Sequence, residues 1–351
     1  MTARIFFQFT LILLFKSTTG LGQEKDYLKN IREAGQFNLS LLSKTFYKED
    51  LRLPISGISI LDYRFDSSKI GYVDKGFPEA AYCRVVAATG WNETLQNYFQ
   101  KNIQPGSPYS LFIVIRKFWM QEGLVDELTD KKVVQSEWMS KKNRGGVCKA
   151  GLDIFIRTGD QYQPLFKLDA SFLHTYNYRA GRLDEWFFLP FDSVARRING
   201  INLTETLTGK RKITLPEIQS FYSERQQLPV LKEPIRKGVF LSYEDFQNNK
   251  PMETVFRISR GKLTDELYTG EKKNETILAE FWGAYDGKDL YIRSGFNIFQ
   301  AIRQQNSFEI FGAKHISNVH NDPAPGQLVR VNEMNVFLKI LQMDMETGEF
   351  Y

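Results

Sequence analysis

Cysteine is scarce in this 351-residue chain: Cys83 and Cys148 are the only two. They form no Cys-x-x-Cys pair, which removes the usual redox and zinc signals. Each sits in or beside an apolar segment. A disulfide in an oxidising compartment and two buried thiols therefore both stay open. Histidine is nearly as rare, at His174, His315 and His320, and none falls in His-Glu-x-x-His. His315 and His320 with Asp322 read as loop histidines, so no metal and no cofactor is expected. Lys141-Lys-Asn-Arg-Gly-Gly146 is not a Walker loop, no Gly-x-Gly-x-x-Gly follows a strand, and no Gly-x-Ser-x-Gly elbow occurs. These absences argue against nucleotide chemistry and against the common serine-hydrolase architecture.

Charge of one sign is also lacking. The formal net charge is +5, with Lys and Arg scattered among acids. Nucleic-acid binding needs clustered phosphate neutralisation, so no nucleic-acid partner is expected. The densest basic run, Lys131-Lys132 with Lys141-Lys142-Asn143-Arg144, reads as a solvated loop.

Only one apolar run stands out, and it is short. Arg4 precedes Ile5 to Phe15, and Ser17-Thr-Thr-Gly-Leu-Gly22 follows, placing Gly20 and Gly22 before a cut at Gln23. This is the pattern of a secretory signal peptide over 1–22; the run falls short of the ~20 residues a bilayer span needs. Its loss would remove Arg4 and Lys16, lowering the +5 charge by two to about +3. The expected location is periplasmic or secreted, with no membrane span after cleavage.

What the chain has in abundance is aromatic residues, with 28 Phe and 16 Tyr, which favours half-buried sheet surfaces. Helical spacing suggests an N-terminal arm over 23–50. Residues 51–228 read as an α+β domain with a mixed sheet. It holds a strand around Ile58 to Leu61, a largely helical Pro78 to Ile103 in which Asn92 is a candidate N-cap, and a buried strand at Leu111-Phe-Ile-Val-Ile115. A hairpin joins Gly151–Arg157 to Tyr162–Ala170. A helix spans 183–199, and another is opened by Thr214 with Glu217. Residues 229–237, with Pro229 and Pro234, read as an extended linker. Residues 238–351 read as a smaller, mainly antiparallel β domain. In it Ser242 and Asp245 start a short helix, Asn248 to Pro251 stop it, and Asp286-Gly287 turns a hairpin between alternating strands. The expected fold class is α+β throughout.

Two constellations carry the chemistry that is available. Asp62 and Asp66 flank Arg64 in Asp-Tyr-Arg-Phe-Asp-Ser-Ser-Lys69, and on an extended segment the three share one face. They read either as a structural ion-pair network or as a ligand and acid/base site, with Asp62, Asp66 and His174 as catalytic candidates and Arg64 as a binding candidate. Ser67, Ser68 and Lys69 lack Ser-x-x-Lys spacing and read as a capped turn. Trp282, Tyr285 and Tyr291 ring the Asp-Gly hairpin, either as a ligand platform or as cross-strand packing. Asn38, Asn92, Asn202 and Asn274 lie in Asn-x-Ser/Thr sequons, which matter only in a glycosylating host.

Gly238-Val-Phe-Leu-Ser-Tyr-Glu-Asp-Phe-Gln-Asn-Asn-Lys-Pro251, Phe281-Trp-Gly-Ala-Tyr-Asp-Gly-Lys288 and Asp62-Tyr-Arg-Phe-Asp-Ser-Ser-Lys-Ile-Gly-Tyr-Val73 resemble segments of a group of secreted, functionally uncharacterised proteins from Bacteroidota. The resemblance implies an exported envelope protein and a bacterial setting in which the sequons are idle. It transfers no catalytic residue. The leading expectation is a non-enzymatic binding or structural component, with an envelope protein as one partner class. The alternative is a periplasmic hydrolase using a carboxylate/His site.

Overall fold

The computed structural model describes residues 36–39, 51–74, 82–87, 90–124, 144–176, 183–260, 265–271, 273–294, 297–313 and 338–350. The first half is organised by a mixed, seven-stranded sheet. Its strands are β1 (Gln36–Leu39), β2 (Ile58–Asp62), β3 (Gly71–Asp74), β4 (Tyr82–Ala87), β5 (Ser110–Leu124), β6 (Arg144–Thr158) and β7 (Gln161–Tyr176). They lie in the order β1-β4-β3-β5-β6-β7, with β2 also bonded to β5.

β5 is the spine of this sheet. Its first half runs parallel to β2, from Ile58 opposite Leu111 to Asp62 opposite Ile115, and its far half pairs with β3 at Gly71 opposite Met120. β2 and β3 thus occupy the same side of β5, end to end. Residues 63–70 between them leave the sheet and return to it. Across β5, the pairing with β6 slips between Ile115 and Lys117, so Arg116 sits in a bulge. A bulge bends the strand and re-aims its side chain.

Leu111 to Ile115 are all buried because both faces of the sheet are covered. Leu111, Ile113 and Ile115 pack with α1 (Trp91–Phe99), α2 (Leu183–Asn199) and α3 (Leu203–Leu207), where Trp186, Phe187 and Phe191 fill the core. Phe112 and Val114 face α4 (Leu215–Arg225) through Ile218 and Tyr222. The expected capping box of α4 is present: Thr214 Oγ1 accepts from Glu217 N, and Glu217 accepts from Thr214 N at 2.7 Å. Thr214 N and Thr214 Oγ1 both donate to the Glu217 carboxyl and hold it below its usual range.

The second half is a six-stranded antiparallel sheet with a three-stranded one packed on it. After α5 (Pro229–Lys232) come β8 (Gly238–Phe240), α6 (Tyr243–Gln247), β9 (Phe256–Ser259), β10 (Glu266–Thr269), β11 (Thr276–Ile277), β12 (Gly283–Tyr285), β13 (Leu290–Ser294), β14 (Asn297–Gln304), β15 (Ser307–Ala313) and β16 (Leu338–Gln342). The large sheet runs β16-β15-β14-β13-β12-β8. One of its faces joins α5, α6, Met343 and Met345 in a core around Phe240, Phe246 and Phe308. The other packs Val239, Ala284 and Ile298 against Leu267 and Ile258 of the small sheet. The whole is α+β, as expected.

Several local expectations need correction. Gln36–Leu39, inside the supposed helical arm, is a strand paired parallel with β4. Gln-Phe-Asn-Leu alternates with period 2, and that pattern outweighs the helical spacing around it. Residues 23–35 and 40–50 of that arm lie outside the described residues, as do 1–22, the basic run from Lys131 to Asn143, His315, His320 and Asp322. The supposed helix from Pro78 begins only at Trp91. Tyr82–Ala87 is a strand in which Arg84 is exposed and Val85 buried. Asn92 is not the N-cap; Gly90 is, and both Asn92 side-chain atoms bond the Ile60 backbone instead. Arg144, Gly145 and Gly146 belong to β6 rather than to a loop. The segment 229–237 is not an extended linker. Pro229–Lys232 forms a helical turn that buries Val230 and Leu231 in the second core, because two apolar residues after an N1 proline gain more by packing than by bridging. At the hairpin only Gly287 takes positive φ, at 97°, while Asp286 Oδ1 accepts from the amides of Lys288 and Asp289. Cys148 is a free, buried thiol, whose ionisation burial opposes.

Gly71 is the narrowest point of the sheet. It holds φ +144°, and an added Cβ would stand 1.8 Å from the Met120 carbonyl oxygen. Gly71→Ala is therefore expected to cost about 3 kcal/mol or more. Urea unfolding measures it, and a loss within experimental error of zero would refute the close approach of β3 to β5.

Candidate functional site

Residues 63–70 carry the chemistry that the sequence singled out, and their folding begins at the end of β2. There Asp62 accepts from the Arg64 amide at 3.1 Å and from Arg64 Nε and Nη2 at 2.9 and 2.7 Å. Trp91 Nε1 donates to the same carboxylate at 3.0 Å, and the Arg64 guanidinium lies over the Trp91 ring. Arg64 Nη1 also donates to the Lys69 carbonyl at 2.6 Å. Arg64 thus ties both ends of the excursion together. Tyr63 faces away, stacked on Tyr222 of α4. Phe65 packs into the core of the second half.

Asp66 closes the next turn. Its Oδ1 accepts from Ser68 N at 2.9 Å and from Ser68 Oγ at 2.6 Å, an Asx-turn. Its Oδ2 lies 2.7 Å from Lys69 Nζ. Lys69 Nζ lies 2.9 Å from Oε1 of Glu309, on β15 in the other half. Glu309 Oε2 accepts from Tyr72 OH at 3.0 Å. The Lys69, Asp66 and Glu309 side chains are 1%, 0% and 0% exposed, so one cation and two carboxylates meet out of water. Burial raises Glu309 above the usual carboxylate range; Lys69 and Tyr72 pull it back, and Asp66 adds to the rise. Burial and the Glu309 charge likewise push the Tyr72 phenol up.

A second polar cluster follows at the bulge. Arg116 pairs with Asp153 at 3.0 Å and Asp169 at 2.7 Å, and approaches Glu346 at 3.8 Å. Burial works against the Arg116 charge, but Asp153, Asp169 and Glu346 outweigh it and raise its pKa. Tyr222 OH donates to the other oxygen of Asp153; burial and that carboxylate raise the phenol. Lys117 pairs with Asp344, and Arg225 with Glu346. Asp344 and Glu346 follow β16, so the C-terminal turn is held to the first half by three cations.

The crevice between the clusters is lined by Arg64, Asp66, Arg116, Lys117, Gln342 and Asp344, among others, and holds about 10 Å³. That admits about one water molecule, against roughly 300–1,000 Å³ for a small-molecule pocket. Of the expected site residues, Asp62, Arg64 and Asp66 are near neighbours, but they form two separate ion pairs rather than one open face. His174 is in β7, opposite Gly146, with its side chain outside the description. Trp282 packs on Tyr243 and Phe246, and Tyr285 joins the same core. Tyr291 packs on the opposite face of the sheet. The three aromatics therefore make no shared platform. Burial, with Asp286 and Asp289 nearby, pushes the Tyr291 phenol up to about 12.

The local sequence pattern places Lys69 only in a turn and does not single out Glu309, Tyr72, Arg116, Asp344 or Glu346. One signal was available: Glu309 is the lone charge in Ser307-Phe-Glu-Ile-Phe311, and a charge inside an apolar strand needs a partner. No protein-family model matches the chain, and no curated protein matches it.

Lys69→Met leaves two carboxylates facing each other in a dry seam. It is expected to cost ~3–5 kcal/mol, whereas Glu346→Ala at the half-open rim is expected to cost ~1 kcal/mol or less. Chemical denaturation of both variants checks the contrast; equal losses would show that the seam is not dry.

Proposed function

We propose that this chain is an exported protein, periplasmic or secreted, that serves as a non-enzymatic binding or structural component of the cell envelope. The observation that supports the non-enzymatic part is the engagement of its candidate carboxylates. Asp62 is held by Arg64 and Trp91, and Asp66 by Ser68 and Lys69. A general acid or base needs a free lone pair or proton aimed at a substrate. Both carboxylates are engaged at both oxygens by these partners, and the adjoining crevice has room for about one water.

Export rests on the sequence: Arg4, the short apolar run to Phe15, and Gly20 and Gly22 ahead of Gln23. No described helix is long and apolar enough to cross a membrane. For a binding role, the exposed tip Asp286-Gly287-Lys288 is a candidate docking point for an envelope protein.

Fractionation of expressing cells, with N-terminal sequencing and identification of co-purifying proteins, tests the reading. The mature chain is expected to begin at Gln23 and to leave the cytoplasm with an envelope protein bound. A cytoplasmic chain retaining Met1 to Gly22 would overturn export. Hydrolysis of a periplasmic substrate by the pure protein, abolished in Asp62→Asn or Asp66→Asn while the fold is kept, would overturn the non-enzymatic reading.

A further inference from the structure

The seam between the halves holds an imbalance of charge. Lys69 supplies one positive charge, and Asp66 and Glu309 supply two carboxyl groups, all within 3 Å of Nζ by the 2.7 and 2.9 Å contacts. Asp66 is satisfied at both oxygens by Ser68 and Lys69. Glu309 is not: its Oε1 approaches Lys69 without hydrogen-bond geometry, and only Oε2 accepts a bond, from Tyr72. Other groups nearby do little to redress this. Gln342 stands opposite Glu309 on β16 and Ile302 on β14, both uncharged. Arg84, an exposed residue of β4 directly opposite Tyr72, acts on Tyr72, and Asp344, Glu346 and their cations belong to the neighbouring cluster. An excess negative charge out of water is costly, and the cheapest way to remove it is a proton on the less satisfied carboxylate.

We infer that the closure of the two halves is proton-linked: the seam is tightest with Glu309 in its neutral acid form and loosens as Glu309 ionises. In the open or unfolded chain Glu309 is in water and titrates near its ordinary 4.5; in the closed seam, burial raises it. A raised folded-state value means that the stabilising contribution is complete below about 4.5 and is lost as pH climbs through the higher value. This device is independent of whether the chain is exported or binds a partner. It makes mild acidity the condition under which the two halves hold together best.

Equilibrium unfolding of the full chain and of Glu309→Gln across a range from about pH 4.5 to about pH 8 tests it. Gln has the shape of neutral Glu at every pH and leaves Lys69 and Asp66 as a balanced pair. The rim charges are the same in both proteins and cancel in the difference. The two stabilities are expected to converge at the acid end, with the unsubstituted chain falling behind as pH rises. Each unit that separates the closed and open affinities of Glu309 amounts to about tenfold in the folded-to-unfolded ratio. A constant gap, or an unsubstituted chain that gains on the variant with rising pH, overturns the inference. Should Glu309→Gln not fold, amide exchange in the unsubstituted chain gives a second reading. Protection of β15 and of residues 66–72, corrected for the intrinsic rate, is expected to fall as pH rises; unchanged protection overturns it.

Discussion

An ammonium group held between two carboxylates in a water-free seam is the contact on which the architecture of this protein depends. Lys69 is reached by Asp66 from its own turn and by Glu309 from the other half of the chain. Such a group contributes little net stability when intact, since desolvation offsets most of the attraction. Its influence lies in what it forbids. Any arrangement of the halves that withdraws Glu309 from Lys69 and Tyr72 without admitting water leaves buried polar groups unpaired, so one docking geometry is strongly selected over its neighbours.

The first half is built to present that lysine. β5 is long enough to pair with β2 and β3 in succession, and the eight residues from 63 to 70 are expelled from the sheet between them. Arg64 clamps the ends of the expelled loop, while the bulge at Arg116 turns a second cation toward the same seam. Gly71 lets β3 re-enter against Met120. A sheet irregularity on each side of β5 thus becomes the docking face for the second half. The polar residues of the excursion do mechanical work, which is why they resemble a site when read along the chain.

Much of the layout was legible. Leu111 to Ile115 marked a strand covered on both faces, Thr214 with Glu217 marked a capped helix, and Ser242 with Asp245 marked another. These are local patterns with local causes. The errors fell where partners far along the chain decide the outcome. Tyr82–Ala87 follows residues that suit a helix start, yet it is a strand because β1 and β3 lie on either side of it. Asn92 has the chemistry of an N-cap but bonds Ile60 across a gap that no sequence window spans. Asp62, Arg64 and Asp66 were visible as a charged group, but their pairing with Trp91 and Lys69, and the link through Lys69 to Glu309, required the folded chain.

Tyr72 and Glu309 are 237 residues apart, and that distance sets an order of events during synthesis. The strands, helices and excursion of the first half are complete long before β15 exists. Until then Lys69 and Asp66 form an electrically balanced pair. Imbalance enters only with Glu309, and the turn bearing Asp344 and Glu346 arrives after it. β15 and the turn after β16 thus fasten the two halves together, and a nascent chain stalled before β15 would show Lys69 and Asp66 as a balanced pair beside Arg116, Lys117 and Arg225, whose partners on that turn have yet to appear.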